Sequence, residues 1–222
     1  MKGPGLTGLK AINILIAVLV PLGLLLSATR LVLTPAFVRL EYQTPNFPED
    51  PYGLSKEERL RYAPLALDYL LNDEEVSFLG DQTFDDGSPL YNERELGHMQ
   101  DVKDLTQSVL STWIGILFLI FGTALWAWRA NWLDDFRIML ANGGRGSVYL
   151  IAAILLVAAL SFNAFFTGFH RIFFEGDSWL FLFSDTLIRL FPLRFWRDVV
   201  LVLGGLTLLG GLALWRLLGN KK

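Results

Sequence analysis

Two histidines are the whole imidazole complement of this 222-residue chain. His98 lies in Tyr91-Asn92-Glu93-Arg94-Glu95-Leu96-Gly97-His98-Met99-Gln100-Asp101, just ahead of a long apolar run. On a helix, Arg94 four residues before it and Asp101 three after it share its face. A carboxylate beside an imidazole can fix its tautomer and raise its basicity, as a general base requires. The same three residues would also make an ordinary solvated stripe. His170 ends another apolar run, among Phe165, Phe166, Phe169, Phe173, Phe174 and Trp179. An aromatic belt at a membrane surface accounts for those rings equally well. Arg189 follows Asp185 by four, as a surface ion pair or as a planar fork for a carbonyl or phosphate oxygen. Two histidines without a third and fourth ligand make a poor zinc set, and nothing in their spacing selects haem, so neither a metal nor a cofactor is expected.

The elements that must position these groups are membrane helices. Hydrophobic residues make up 53% of the chain and charged ones 18%, and the apolar residues cluster in runs. Four runs approach the ~20 residues needed to cross ~30 Å of hydrocarbon as helix. They cover 11–33, 109–128, 148–169 and 199–215. A cleaved signal is the rival for the first, but the apolar stretch is too long and no convincing cleavage site follows. Lys2, Lys10, Arg129, Arg137, Arg145, Arg216, Lys221 and Lys222 mark the inner side, so both termini are expected in the cytoplasm. The segment 34–107, with six basic residues against sixteen acidic ones, is expected outside as a cap. The loop 170–198, balanced at four and four, follows it by alternation. Both histidines therefore border the outer face. Zero cysteines exclude disulfides and thiol nucleophiles.

Capping chemistry makes the cap helical. Ser55-Lys56-Glu57-Glu58 is a capping box, predicting a helix to about Leu71 with Leu60, Ala63, Leu67, Leu70 and Leu71 on its apolar face. Asp85-Asp86-Gly87-Ser88-Pro89 reads as a turn. Asn92 reads as the N-cap of a helix that carries His98 toward the second span, with Glu93 and Glu95 placed against the helix dipole. A short helix capped by Ser184 or Asp185 ends before Pro192.

The run ELGHMQDVKDL, the second histidine 72 residues on in FHRIFFEGDSWLF, then SDTLIRLFP, together with YGLSKEERLRY in the cap, resemble the bacterial lipoprotein intramolecular transacylase family. The similarity covers nearly the whole plan of the chain. It implies four membrane helices under an extracellular cap. It also implies movement of an acyl chain from the sn-2 glyceryl ester of a diacylated lipoprotein to the α-amine of its amino-terminal cysteine, leaving a lyso-form lipoprotein. The matching catalytic positions are His98 and His170, and no protein nucleophile is implied. Tyr91, Arg94, Asp101, Phe169, Phe173, Trp179 and Arg189 are the residues expected to hold the substrate.

The expected protein is thus an all-α multi-pass cell-membrane acyltransferase whose partners are a diacylated lipoprotein and membrane lipids, with no nucleic acid. The residues alone also allow a non-catalytic membrane protein that docks a lipoprotein or another envelope partner. A docking protein has no evident need for the histidine pair. A transporter is disfavoured, since the spans hold Asn13 and Asn163 as their only polar amides and few internal charges. Nothing in the sequence sets the oligomeric state.

Overall fold

Caps and breaks divide residues 3–219, those described by the computed structural model, into nine helices and a single isolated bridge between Thr83 and Pro89. Four of the nine are long and apolar enough to cross a membrane: α1 (Leu6–Val32), α5 (Glu93–Arg129), α6 (Leu133–Leu160) and α9 (Leu193–Gly219). The others are α2 (Pro35–Glu41), α3 (Lys56–Leu71), α4 (Ser77–Gly80), α7 (Phe162–Phe173) and α8 (Thr186–Leu190). The protein is an all-α membrane protein. Lys2, Lys221 and Lys222 lie outside the described residues.

The chain folds as two units. The first comprises Met1–Arg30, Leu110–Leu160 and Leu201–Lys222. Its core is built from Ile16, Val20, Ala127, Trp132, Phe136 and Met139, while Phe118 and Phe121 are exposed, as helices facing lipid require. Small residues let the helix backbones approach, which drives association where no hydrophobic force acts between helices. A Cβ on Gly144 would sit 2.6 Å from the carbonyl oxygen of Gly211, and one on Gly143 would sit 2.6 Å from the Val20 side chain. The polar groups of this unit pair locally. Asn142 donates to Asn13 at 3.2 Å, and Trp113 donates to Ser27 Oγ at 2.9 Å.

The second unit comprises Leu31–Val109 and Ser161–Val200. Thr34 caps α2, and the expected box at Ser55 is present, with Glu58 N donating to Ser55 Oγ at 3.2 Å and Ser55 N to Glu58 Oε2 at 2.8 Å. The buried face of α3 holds Ala63, Leu67 and Leu70 as expected, joined by Tyr62, Ala66 and Tyr69, whereas Leu71 points outward. The Asp85–Pro89 turn closes through Gly87 at φ 82° and two bonds from Ser88 to Asp86. The helix begun after Asn92 runs unbroken through the second apolar run, which starts at Val109 and is the part of α5 able to cross a bilayer.

Three expectations need correction. The third apolar run is not one helix over 148–169. It breaks at Ser161, whose hydroxyl accepts from Ala164 N at 3.3 Å and starts α7. Arg137 and Arg145 stand on α6 rather than in a loop, because Asp134 and Asp135 open that helix early. Asp185 and Arg189 do not pair with each other. Arg94 takes Asp185 at 3.3 Å, and Arg189 takes Asp50 at 3.0 Å.

Candidate active site

Both histidines belong to the second unit. His98 is placed by the start of α5. Glu95 N donates to Asn92 Oδ1 at 3.0 Å and Asn92 N returns to Glu95 Oε2 at 2.9 Å, a reciprocal cap one turn before His98. The other oxygen of Glu95 accepts from Leu187 N at 2.7 Å, in the first turn of α8. One carboxylate, 1% exposed, therefore ties together the starts of two helices. Expected only to complement a helix dipole, Glu95 is instead the buried anchor of the His98 turn.

His170 is placed by α7. Its Nδ1 lies 2.8 Å from the carbonyl oxygen of Phe166. A carbonyl oxygen can only accept, so Nδ1 carries the proton and Nε2 keeps its lone pair. The two imidazoles stack with ring centres 6.2 Å apart and planes 24° from parallel. Aromatic rings wall them in. Phe174 and Phe181 stand 5.0 and 5.2 Å from His98, and Phe166 and Trp179 stand 4.1 and 4.9 Å from His170.

That wall desolvates the pair, and desolvation favours neutral imidazole. Burial, followed by the proximity of His170, pulls His98 down from its ordinary value to about 4. Burial also lowers His170, against the Phe166 carbonyl, which favours the protonated ring. Both rings are thus held toward the free base at neutral pH.

The structure sorts the residues expected around them. Phe169 and Phe173 touch each other at 4.8 Å, Phe169 lies 5.5 Å from His170, and both are partly exposed. Arg94 lies 6.0 Å over Phe181, a ring that also meets His98. Asp101 does not orient His98. It accepts from Ser178 Oγ at 3.3 Å, and His98 Nδ1 is buried without a hydrogen-bond partner. The fork of Arg189 is committed to Asp50, through Nε at 3.1 Å and Nη2 at 3.0 Å, with a further bond to the Tyr52 carbonyl. Tyr91 is buried with an unpartnered hydroxyl, and burial raises its pKa. No ring contact joins it to either imidazole among the described residues. A cavity of about 500 Å³ is bounded by Tyr42, Phe47, Asp50, Leu54 and Arg59, and neither histidine lines it.

Phe166 and Phe174, named from the sequence only as members of an aromatic belt, and Phe181 stand directly against the imidazoles. The only available signal was the density of aromatics, which a membrane belt shares.

Comparison with known proteins gives the arrangement a family. The chain is similar to a protein of Aquifex aeolicus (strain VF5), with 30% identity over 203 residues that make up 91% of each chain. Its fold is similar to the membrane integral lipoprotein intramolecular transacylase Lit of Bacillus cereus, with a TM-score of 0.76, 18% identity, and 94% and 93% of the two chains covered. A structure of that Bacillus cereus protein with one histidine replaced by alanine matches with a TM-score of 0.69, 18% identity and coverage of 95% and 92%. The sequence profile of the lipoprotein intramolecular transacylase Lit family matches residues 14–196. The chain belongs to the lipoprotein intramolecular transacylase Lit family of acyltransferases.

Proposed function

We propose that this protein moves the acyl chain from the sn-2 glyceryl ester of a diacylated lipoprotein to the α-amine of its amino-terminal cysteine, with His98 and His170 as the catalytic pair. The observation that carries this reading is the stacked, desolvated pair of imidazoles, one with its tautomer already set, in a member of a transacylase family.

Attack of the amine on the ester carbonyl closes an eight-membered ring through nitrogen, Cα, Cβ, sulfur, two glyceryl carbons, oxygen and the carbonyl carbon. Such a ring seldom forms unaided, and holding reacting groups in place is worth up to ~7 to 11 kcal/mol. His170 Nε2 takes a proton from the substrate ammonium, and the Phe166 carbonyl steadies the imidazolium that results. The freed amine adds to the carbonyl. Collapse breaks the bond to the glyceryl oxygen, which receives a proton from the histidine pair, while the new amide loses its second proton to it. The products are an amide, a glyceryl hydroxyl and one released proton. Two imidazoles this close do not both carry charge, so the pair works on one proton at a time. Arg94, with donors left free by its single bond to Asp185, replaces Arg189 as the guanidinium suited to the oxyanion. Phe169, Phe173 and Trp179 hold the acyl chain. Asp101, Tyr91 and Arg189 support the scaffold.

In this reading both termini are cytoplasmic, and 34–107 and 170–198 face outward. The chain has no cysteine of its own, so cysteines placed singly at Asp86, Glu175 and Asp135 report topology cleanly. The first two are expected to react with an impermeant maleimide in intact cells and the third is not; the reverse pattern inverts the topology. The reaction itself is tested by incubating purified protein with a defined diacylated lipopeptide and locating the acyl chain by mass spectrometry. Transfer to the α-amine with a free sn-2 hydroxyl is expected, and an unchanged lipopeptide would refute the proposal.

A further inference from the structure

Resting on the transacylase reading above for what enters the site, we propose that residues 176–181 form a strap that lifts off the two imidazoles to admit the glyceryl ester and then closes over them. As they stand, the rings are shut in. His98 is 8% exposed, and Phe174, Phe181 and His170 take up the space around it. The gap between the two imidazoles gives no way in. A carbonyl group lying between two rings needs ~3.5 Å to each, or ~7 Å in all, and the ring centres are 6.2 Å apart. An acyl ester therefore reaches both rings only after part of the wall moves.

The wall has fixed and loose members. Phe166 lies within α7 and Phe174 caps it, with Phe174 N donating to the His170 carbonyl at 2.8 Å. Trp179 and Phe181 stand in irregular backbone, and each covers one ring. Trp179 lies 4.9 Å from His170, and Phe181, two residues on, lies 5.2 Å from His98. Leu180 between them is 47% exposed, so the segment turns its aromatic side to the histidines and its aliphatic side away.

The polar bonds of this segment are nearly all internal. Trp179 Nε1 donates to the Gly176 carbonyl at 3.2 Å and Leu180 N to the Asp177 carbonyl at 3.0 Å, so both bonds travel with the strap. Among the described residues, a single hydrogen bond joins 176–181 to another element. It runs from Ser178 Oγ to Asp101 on α5 at 3.3 Å and is exposed. The two ends differ in a way that suits lifting. Gly176 has φ 64°, a region that glycine enters without strain. Past Phe181 the backbone is pinned, by Asp185 to Leu182 N at 2.9 Å and by Glu95 to Leu187 N at 2.7 Å. A hinge, one weak latch and an anchor thus follow one another along the chain. Closure of such a segment excludes water from the reacting groups, and here it desolvates the same two rings that it uncovers when open.

The chain has only two histidines and no cysteine, so opening can be read on the rings themselves. Diethyl pyrocarbonate carbethoxylates neutral imidazole, and mass spectrometry of the digested protein locates the adduct. In the double variant Asp101→Cys, Ser178→Cys, a methylene-linked bis-methanethiosulfonate ties the strap to α5. Methyl methanethiosulfonate caps the same two thiols without a tether and controls for added bulk. Carbethoxylation of His98 is expected to be severalfold slower in the tethered protein than in the capped one, and to recover on reduction. Ser178→Ala, which removes only the latch, is expected to speed it by up to about tenfold, the worth of one hydrogen bond. Equal rates in tethered and capped protein would overturn the strap, as would an unchanged rate in Ser178→Ala. Acyl transfer is followed in the same samples. Transfer that is absent even without the tether, while His98 still responds to it, would tell against the transacylase reading and leave the strap in place.

Discussion

The two units treat buried polar groups in opposite ways. In the membrane bundle they are satisfied within one helix or between two: Ser147 donates to the Gly143 carbonyl and Thr207 to the Leu203 carbonyl, each four residues back, and Asn142 donates to Asn13 on another helix. Among the described residues only Trp132 Nε1 is left without a partner there. In the unit that carries the histidines, Glu41, Asp50, Arg59, Tyr91 and His98 each keep a buried polar atom unpartnered. An unmade buried hydrogen bond costs about 1 to 3 kcal/mol. The first unit is thus arranged for packing, and the second leaves more buried polar atoms unpaired, His98 Nδ1 among them.

The sharpest break in this comparison comes from the histidines. His98→Ala and His170→Ala are each expected to lower acyl transfer by ~10² to 10⁴, the usual worth of a positioned proton-transfer group. The double variant should be little worse than either single one, because both groups serve one ring closure. Rates on a diacylated lipopeptide at matched protein concentration provide the check, together with unchanged thermal unfolding. Near wild-type transfer by both variants would remove the histidines from the mechanism.

Gly144→Leu should do the converse. Its side chain has no space beside the Gly211 carbonyl, and overpacking typically costs about 1 to 3 kcal/mol. The unfolding midpoint in detergent should fall while transfer per folded molecule is retained. Loss of catalysis with an unchanged midpoint would show that the bundle does more than pack.

Glu95→Gln should give a smaller, mixed effect. The amide keeps one acceptor where the carboxylate meets two backbone N–H groups, a loss of about 1 to 3 kcal/mol. A modest drop in kcat with little change in KM is expected, because His98 loses its anchor rather than its chemistry. A KM effect alone would place Glu95 in substrate binding instead.

The smallest effect concerns pH. Protonating the imidazoles removes the base, so the rate should fall on the acid side. Because burial lowers both histidines, with His98 at about 4, that limb should lie below the ordinary histidine value of ~6.5. Trp179→Ala admits water to His170, the base, and should move the limb upward. The same depressed values favour the folded state above ~6.5 and withdraw that support as pH falls toward the folded pKa, because the unfolded chain takes up protons first. A limb above 6.5 in the unaltered protein would contradict the desolvated box.

How much of this was visible beforehand depended on whether the signal was local. The Ser55 box, the Asn92 cap, the turn at Gly87 and the four spans follow from neighbouring residues and hydropathy, and both histidines stood out by rarity. The break at Ser161 was hidden because apolar residues flank it on both sides, so periodicity has nothing to interrupt. Arg189 was misread because its partner Asp50 lies 139 residues away, while the local candidate, Asp185, is taken by Arg94. Glu95 looked like any acidic residue in a first helical turn, since its bond to Leu187 spans 92 residues. Which rings would enclose His98 was equally a matter of tertiary placement.

The double duty of Glu95 also divides the outer loop by how freely its length can drift between relatives. Between Phe174 and Ser178 the chain passes through Gly176 in a left-handed turn, before Ser178 meets Asp101 and Trp179 meets His170, and an inserted or deleted residue there leaves the anchored segments at either side in place. From Leu182 to Leu187 the backbone is pinned twice, by Asp185 to Leu182 N and by Glu95 to Leu187 N. One added residue in that stretch would draw the start of α8 away from Glu95 and with it the turn that holds His98. Length variation among relatives should therefore collect between Phe174 and Ser178 and be scarce after it.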